Sequence, residues 1–291
     1  MSLRDLQVKK EASEPITWLT CYDYSFARAL SRTDLDLILV GDSGGMALLG
    51  YEDTTPVTMD EMIFMCKAVR RGASNKFIVG DMPKGSYEIL VAEAVKHAMR
   101  FCKEGNTDAV KLEGGSEVLE QVRHITLSGI PVIGHLGLTP QSTTLKGGYR
   151  VVGRTPDEAA SLIRDAQALQ EAGAIALLLE AVPDQVASQI SSSLRIPVLG
   201  IGSGSKVDGQ LLILHDLLGL YPDMRPKFAK CYVPSVLGKF SEHLNSIENL
   251  IDSGRSTRND GLLELTVKCV EEYVNDVKAG LFPSRDYTYA P

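Results

Sequence analysis

Leu35-Asp36-Leu37-Ile38-Leu39-Val40-Gly41-Asp42-Ser43-Gly44-Gly45-Met46 is the stretch that decides the fold. An apolar run of Leu, Ile and Val without polar alternation reads as a strand covered on both faces, and it stops at Asp42 in a glycine-loosened turn. The same grammar returns in Phe77-Ile-Val-Gly-Asp81, in Ala109-Val-Lys111-Leu-Glu113-Gly-Gly and in Ala174-Ile-Ala-Leu-Leu-Leu-Glu180. A carboxylate at the end of a buried strand is costly unless it is paired or holds a cation. Four of them predict one converging site, not scattered solubility charges.

Outward from these runs, strands and helices alternate. A first strand is predicted at Ile16-Thr-Trp-Leu-Thr-Cys21, followed by a short helix from Ser25 to Ser31. After a long loop from Gly45 to Thr58, the pattern Thr58-Met-Asp-Glu61 is a capping box that opens a helix to about Arg71. Further helices are predicted over about Tyr87–Glu104 and Ser116–Ser128, and over Pro156–Gly173, where Pro opens and Gly closes the segment. Strand five is Pro131-Val-Ile-Gly-His135-Leu-Gly, and Leu138–Thr155 reads as a long loop. Strand seven is Pro197–Gly202, and an eighth element lies in Leu211–Leu220. Residues 1–14 are a polar segment, and from about Val233 the chain is helical with a polar break at Asp252–Asp260. About eight such units predict an α/β fold, a (β/α)8 TIM barrel with extra C-terminal helices, as a single domain over 1–291. No GxGxxG follows the first strand, so a dinucleotide-binding open sheet has no support. In a barrel the C-terminal strand ends form the active face, where all four acids fall.

Bulk properties narrow the function. The 291 residues are 44% hydrophobic and 23% charged, which fits a globule with a sizeable core and excludes disordered and fibrous classes. The net charge of −7, with no dense basic stripe, argues against nucleic acid as a partner. Cys21, Cys66, Cys102, Cys231 and Cys269 show no CxxC spacing and read as reduced residues of a cytoplasmic protein. Neither a signal-peptide core nor 18 consecutive apolar residues is present, so no membrane association is expected.

The acids suggest chemistry. Asp42 and Asp81 on neighbouring strands, with Glu113 on the next, offer hard oxygen ligands suited to Mg²⁺, which takes one or two carboxylates and completes its shell with water and substrate oxygens. Capping of the following helices is the structural alternative for any one of them. Lys111 lies two residues before Glu113 and on the same strand face; it suits a substrate carboxylate, or else an internal ion pair with Glu113. Glu180, away from the other acids, is a candidate general base. His135 can donate to a substrate oxygen, and Ser43 can contact a bound oxyanion. A metal, a cation for a carboxylate and a separate base suit enolisation of a 2-oxo acid, with the metal on the carboxylate and keto oxygens and the base at C3. The residues do not name the electrophile.

The landmarks Thr-Cys-Tyr-Asp23-Tyr, Val-Gly-Asp42-Ser-Gly-Gly-Met, Gly-Asp81-Met-Pro, Val-Lys111-Leu-Glu113-Gly-Gly, Gly-His135-Leu-Gly-Leu-Thr-Pro-Gln141, Gly-Gly-Tyr149, Leu-Glu180-Ala-Val-Pro and His215-Asp stand in order. In these the chain resembles the ketopantoate hydroxymethyltransferase family, within the phosphoenolpyruvate mutase and isocitrate lyase superfamily, over about residues 16–240. The resemblance implies a cytoplasmic barrel enzyme of pantothenate and coenzyme A synthesis. It implies transfer of hydroxymethyl from 5,10-methylenetetrahydrofolate to 3-methyl-2-oxobutanoate. It also implies that Asp42 and Asp81 bind Mg²⁺ and substrate, that Glu113 supports the metal, that Ser43 and Lys111 contact substrate, and that Glu180 is the base. A homo-oligomer, a decamer, is implied as well. The chain departs from the family's usual residues at Gly44, Met65, Lys84 and Val152, and Lys84 is expected at the site mouth. The alternatives are a lyase or mutase of the superfamily acting on another 2-oxo acid without folate, or a catalytically silent barrel.

Overall fold

Strands covered on both faces must be apolar throughout, and eight such strands are found in a computed structural model that describes residues 1–142, 148–221, 226–241 and 261–289. They are β1 (Ile16–Thr20), β2 (Leu37–Val40), β3 (Phe77–Asp81), β4 (Ala109–Glu113), β5 (Val132–Gly137), β6 (Ala176–Glu180), β7 (Val198–Ile201) and β8 (Gly209–Leu212). Every strand residue is buried except Glu180, which is half-buried. The strands are all parallel, pair in sequence order, and close through β8 and β1 into a barrel. The expected (β/α)8 barrel is therefore the fold.

Local chemistry sets the helices. Those between the strands are α1 (Leu3–Glu11), which precedes β1, α2 (Tyr24–Leu30), α3 (Gly44–Ala47), α4 (Met59–Gly72), α5 (Val91–Lys103), α6 (Leu119–Leu127), α7 (Pro156–Glu171) and α8 (Asp184–Ser193). After β8 come α9 (Leu214–Leu218), α10 (Val233–Ser241) and α11 (Gly261–Lys278). The Thr58 hydroxyl accepts from the Glu61 amide while the Glu61 carboxylate accepts from the Thr58 amide, so the expected capping box opens α4. The same device opens α7, with Thr155 and Glu158.

Several expectations need correction. The polar segment 1–14 contains α1, capped by Ser2 and Asp5; only Leu6 of that helix is buried, so no apolar period announces it. The loop from Gly45 holds the single turn α3. The helix expected from Tyr87 starts at Val91, and Tyr87 turns into the barrel top instead. Helix α8, between β6 and β7, is an element the sequence reading left unassigned; it is rich in Ser and Gln and buries the short stripe of Ala187 and Ile190. The Leu211–Leu220 run divides into the end of β8 and helix α9, because the strand begins in Gly209-Gln210. The polar break at Asp252–Asp260 lies outside the described residues, as do residues 143–147 of the long loop.

Helix α11 lies against the seam that closes the barrel. The Tyr273 hydroxyl lies 2.7 Å from the Gln210 carbonyl of β8 and 3.0 Å from the Trp18 carbonyl of β1, so one phenol bridges the first and last strands. Tyr273→Phe is expected to lower stability by about 1–3 kcal/mol, the usual penalty for stripping buried acceptors of their donor. Urea unfolding checks this, and an unchanged midpoint would remove Tyr273 from the closure of the barrel.

Candidate active site

The site begins with register. Asp81 on β3 is the pairing partner of Lys111 on β4, and Glu113 on β4 is the partner of His135 on β5. Neighbours in a parallel sheet point their side chains to the same face, and so do residues two apart on one strand, so four polar groups from three strands share the inner face of the barrel in two adjoining layers. Asp42 follows the end of β2, and its backbone amide donates to Asp81 Oδ2 at 3.2 Å. All five are nearly sealed from solvent, with exposures of 4% for Asp42, 1% for Asp81, 3% for Lys111, 4% for Glu113 and 1% for His135.

Lys111 is the internal cation. Its Nζ lies 2.7 and 2.8 Å from the two Asp81 oxygens and 3.6 Å from Glu113 Oε1. The ion pair anticipated with Glu113 is thus made mainly with Asp81. One ammonium cannot serve three carboxylates. Burial, the largest influence, pushes the Asp42 carboxyl up and the Asp81 carboxyl well above the usual carboxylate range, against the pull of Lys111. Burial also works against the Lys111 charge, but Asp81, Glu113 and Asp42 together outweigh it and keep the ammonium protonated. Burial lowers His135, so its imidazole is neutral and does not relieve the shortage.

Across the barrel, β6 stands opposite β2 and delivers Glu180. His135 Nε2 lies 3.3 Å from Glu180 Oε2, and its Nδ1 lies 3.4 Å from Glu113 Oε1; both are within ion-pair range without the alignment of a hydrogen bond. His135, expected as a substrate contact, also bridges the two sides of the site. After Glu180 the chain turns through Ala181 at φ +49, a left-handed conformation. Backbone bonds hold it: Ala181 donates to the Ile201 carbonyl at 2.9 Å and accepts from Val152 at 3.1 Å.

Asp42, Ser43, Asp81, Lys111, Glu113, His135 and Glu180 all line one cavity. The sequence-based site residues are brought together without exception. Leu39, Leu178, Ile201 and Leu211 supply apolar wall, and Tyr149, His215 and Tyr221 lie toward the mouth. The Tyr22 hydroxyl sits 2.8 Å from Ser43 Oγ. Gly44 and Met65, two of the departures, meet in space. A Cβ on Gly44 would lie 2.8 Å from Met65 Sδ and 2.8 Å from Tyr22 Cδ1, so the glycine makes room for both. Among the described residues Lys84 is not part of the cavity lining, and its ammonium lies 3.7 Å from Glu88.

Two participants have no role in the sequence reading, although Gln141 ends one of its landmark motifs. Gln141 Nε2 donates to Asp42 Oδ2 at 2.8 Å, its backbone amide donates to Glu113 Oε2 at 3.1 Å, and Tyr87 donates to its side-chain oxygen at 2.7 Å. The only signal was position: Gln141 follows a Thr-Pro turn at the end of β5. Tyr87 was hidden in what reads as a helix.

Among the described residues, no group of three or more His, Cys, Asp or Glu is arranged to enclose a metal ion by protein atoms alone. The donor set nonetheless fits a divalent cation of Mg²⁺ type. Three buried carboxylates around one ammonium leave an excess of negative charge, and Mg²⁺ asks for only one or two carboxylates beside water and substrate oxygens.

Fold and site together define a (β/α)8-barrel protein with an acidic, single-lysine centre at the C-terminal strand ends. The fold is shared with phosphoenolpyruvate phosphomutase from Streptomyces platensis subsp. rosaceus, at 14% identity and a TM-score of 0.59 over 97% of this chain and 100% of that one. Phosphonopyruvate hydrolase, solved in complex with oxalate and Mg²⁺, is likewise 14% identical with a TM-score of 0.59, over 96% of this chain and 99% of that one. The family model of ketopantoate hydroxymethyltransferase matches residues 1–248. The 3-methyl-2-oxobutanoate hydroxymethyltransferase of Moorella thermoacetica is 45% identical over 289 residues, 99% of this chain and 97% of that one. That of Alkaliphilus metalliredigens is 44% identical over 288 residues, 99% of this chain and 92% of that one. The chain belongs to the ketopantoate hydroxymethyltransferase family, and it is an enzyme.

Lys111→Met is expected to destabilise the cation-free protein at neutral pH by about 3–5 kcal/mol, because removing one partner leaves the buried acids without their counter-charge. Urea unfolding measures it. A loss below about 1 kcal/mol, the scale of an exposed ion pair, would show that Lys111 is not the internal counter-ion.

Proposed function

We propose that the chain transfers a hydroxymethyl group from 5,10-methylenetetrahydrofolate to 3-methyl-2-oxobutanoate, giving 2-dehydropantoate for pantothenate and coenzyme A synthesis. The observation that carries the reading is that one cavity holds the Asp42, Asp81, Glu113 and Lys111 set and, apart from it, Glu180, which stands across the barrel from Asp42 and is divided from Glu113 by His135. Enolisation of a 2-oxo acid needs that separation: positive charge where the oxyanion develops, and a base at the carbon beside it.

In this reading Asp42, Asp81 and Glu113 would hold Mg²⁺. When bound, the ion supplies Lewis acidity to the carboxylate and keto oxygens of the acid. The protein's own residues do the rest. Lys111 offers positive charge to the substrate carboxylate, and Ser43, steadied by Tyr22, offers a hydroxyl to the same oxygens. Glu180 takes the C3 proton, and the electron pair of the broken C–H bond passes into the C2–C3 bond and onto the C2 oxygen. C3 then forms a bond to the methylene carbon of the folate and both C–N bonds of that carbon break, one giving way to the new C–C bond and the other to a bond from a water oxygen; the proton taken by Glu180 and one proton of the water pass to the two nitrogens as tetrahydrofolate leaves. The apolar wall of Leu39, Leu178, Ile201 and Leu211 faces the branched alkyl end.

The cavity, as lined by described residues, measures about 140 Å³, below the roughly 300–1,000 Å³ of pockets that enclose drug-sized ligands. It suits a small acid with the folate across its mouth. The relatives' names support the transferase chemistry, and the oxalate and Mg²⁺ of the phosphonopyruvate hydrolase complex support a metal bound with a small carboxylate on this fold. With the family match, a folate-free lyase or mutase has no observation in its favour. On the family resemblance we also read the working unit as a homo-oligomer, a decamer; light scattering that finds only monomer would overturn that part.

Glu180→Gln keeps the shape of the base and removes its basicity. Incubated with 3-methyl-2-oxobutanoate and Mg²⁺ in D₂O, it should lose C3 deuteration by about 10²- to 10⁴-fold, with folate-dependent product falling in step. Normal deuteration without product would move the base elsewhere. Wild-type protein that makes no 2-dehydropantoate from methylenetetrahydrofolate would overturn the proposed reaction.

A further inference from the structure

Gln141 sits in the turn after β5 and reaches back over the acids of β2 and β4. Its side chain is 4% exposed, and the Tyr87 ring behind it 2%. The amide nitrogen Nε2 has two acceptors, Asp42 Oδ2 at 2.8 Å and the Met82 carbonyl at 2.9 Å, which use both of its hydrogens. The backbone amide of the same residue donates to Glu113 Oε2 at 3.1 Å. One residue therefore grips one oxygen of each of two carboxylates that the barrel supplies from different strands.

The amide cannot turn over. Its neighbours on the Nε2 side, a carboxylate and a carbonyl, only accept. On the Oε1 side stands the Tyr87 hydroxyl at 2.7 Å, and that hydroxyl itself accepts from the Glu113 amide at 3.2 Å. With its acceptor role taken, Tyr87 gives its proton to Gln141. A flipped amide would set oxygen against Asp42 Oδ2 and the Met82 carbonyl. The chain of bonds from Glu113 N–H through Tyr87 and Gln141 to Asp42 runs in one direction only.

We infer that Gln141, locked by Tyr87, is a positioning residue that fixes which oxygens of Asp42 and Glu113 are presented to the divalent cation. Gln141 holds Oδ2 of Asp42 and Oε2 of Glu113 and thereby fixes how both carboxylates are turned, with Glu113 Oε1 directed toward Lys111 and His135. Outer partners of this kind orient ligands that would otherwise swing between rotamers, and removing one typically weakens metal binding about 10- to 100-fold. The inference rests on the reading of Asp42, Asp81 and Glu113 as the cation site.

The test measures Mn²⁺ affinity directly, by electron paramagnetic resonance on the full chain without substrate, in wild type, Gln141→Met, Tyr87→Phe and Asp42→Asn. Near-ultraviolet circular dichroism confirms that each variant is folded. Gln141→Met preserves length and removes both amide ends; it should weaken Mn²⁺ about 10- to 100-fold. Tyr87→Phe, which removes the hydroxyl that holds Gln141 Oε1, should weaken it in the same direction by less. In turnover, the half-saturating Mg²⁺ concentration of both should rise more than kcat falls, a split that a general loss of packing does not produce. Wild-type affinity in Asp42→Asn would overturn the cation site itself. A loss in Asp42→Asn with wild-type affinity in Gln141→Met overturns the inference alone, and if Gln141→Met does not fold, unchanged affinity in Tyr87→Phe does the same.

Discussion

Positive charge is scarce at the top of this barrel, and the arrangement of the site depends on that scarcity. Three carboxylates and one ammonium are sealed in one cluster, where each ion has given up several kcal/mol of hydration. One close pair returns about 4 kcal/mol at an effective dielectric near 20, so the Lys111–Asp81 contact roughly offsets its own desolvation. Asp42 and Glu113 are then left to share the fringe of the same charge with hydrogen bonds. The upward push on the Asp42 and Asp81 carboxyls expresses this directly. A second cation therefore finds the protein part of its binding free energy already invested in a repulsion that it relieves.

The cluster itself follows from the period of a strand. Residues two apart share a face, so Lys111 and Glu113 both point inward from β4, and the parallel register sets Asp81 beside Lys111 and His135 beside Glu113. A shift of one residue in either pairing would exchange these groups for their apolar neighbours Gly80, Leu112 and Leu136. Closure of the barrel guards the register, because a closed sheet has no free edge along which a strand can slip. The seam bridged by Tyr273, far from the acids in sequence, thus supports the geometry of the site through the same constraint.

The parts of the molecule legible in sequence were those in which burial leaves a compositional trace. Strands covered on both faces need continuous apolar runs, and an acid at the end of such a run stands out; Asp42, Asp81, Glu113 and Glu180 were found that way. Helix α1 left no trace because it buries only Leu6 and owes its start to a Ser2–Asp5 capping box. Strand β8 was blurred because it begins with Gly209-Gln210 and runs into a helix equally rich in Leu. Gln141 and Tyr87 were missed for another reason: each contributes one polar group whose meaning comes from partners about 30 to 100 residues away, as in the Gln141–Asp42 bond with its sequence separation of 99. Nearness to Asp81 in sequence does not bring Lys84 into the cavity lining, because its ammonium is drawn to Glu88.

A base and a Lewis acid that serve one small substrate conflict, since a cation close to a carboxylate takes away its basicity. The eight-strand barrel offers a way out, because β2 and β6 stand on opposite walls while their C-terminal ends face the same cavity. The gap between them is bridged by His135, whose pKa burial lowers, so that its imidazole adds no positive charge beside Glu180. On the Glu180 side the wall is apolar, with Leu178 and Ile201 beside it, and its side chain keeps 16% exposure. The turn that follows puts Ala181 in a left-handed conformation, which costs a residue with a Cβ about 1–2 kcal/mol and persists because Ile201 and Val152 hold its backbone from both sides. That expense is intelligible only if the direction in which Glu180 points is itself under constraint: a wider turn would carry the carboxylate away from His135 and from the cavity that the acids on the opposite wall define.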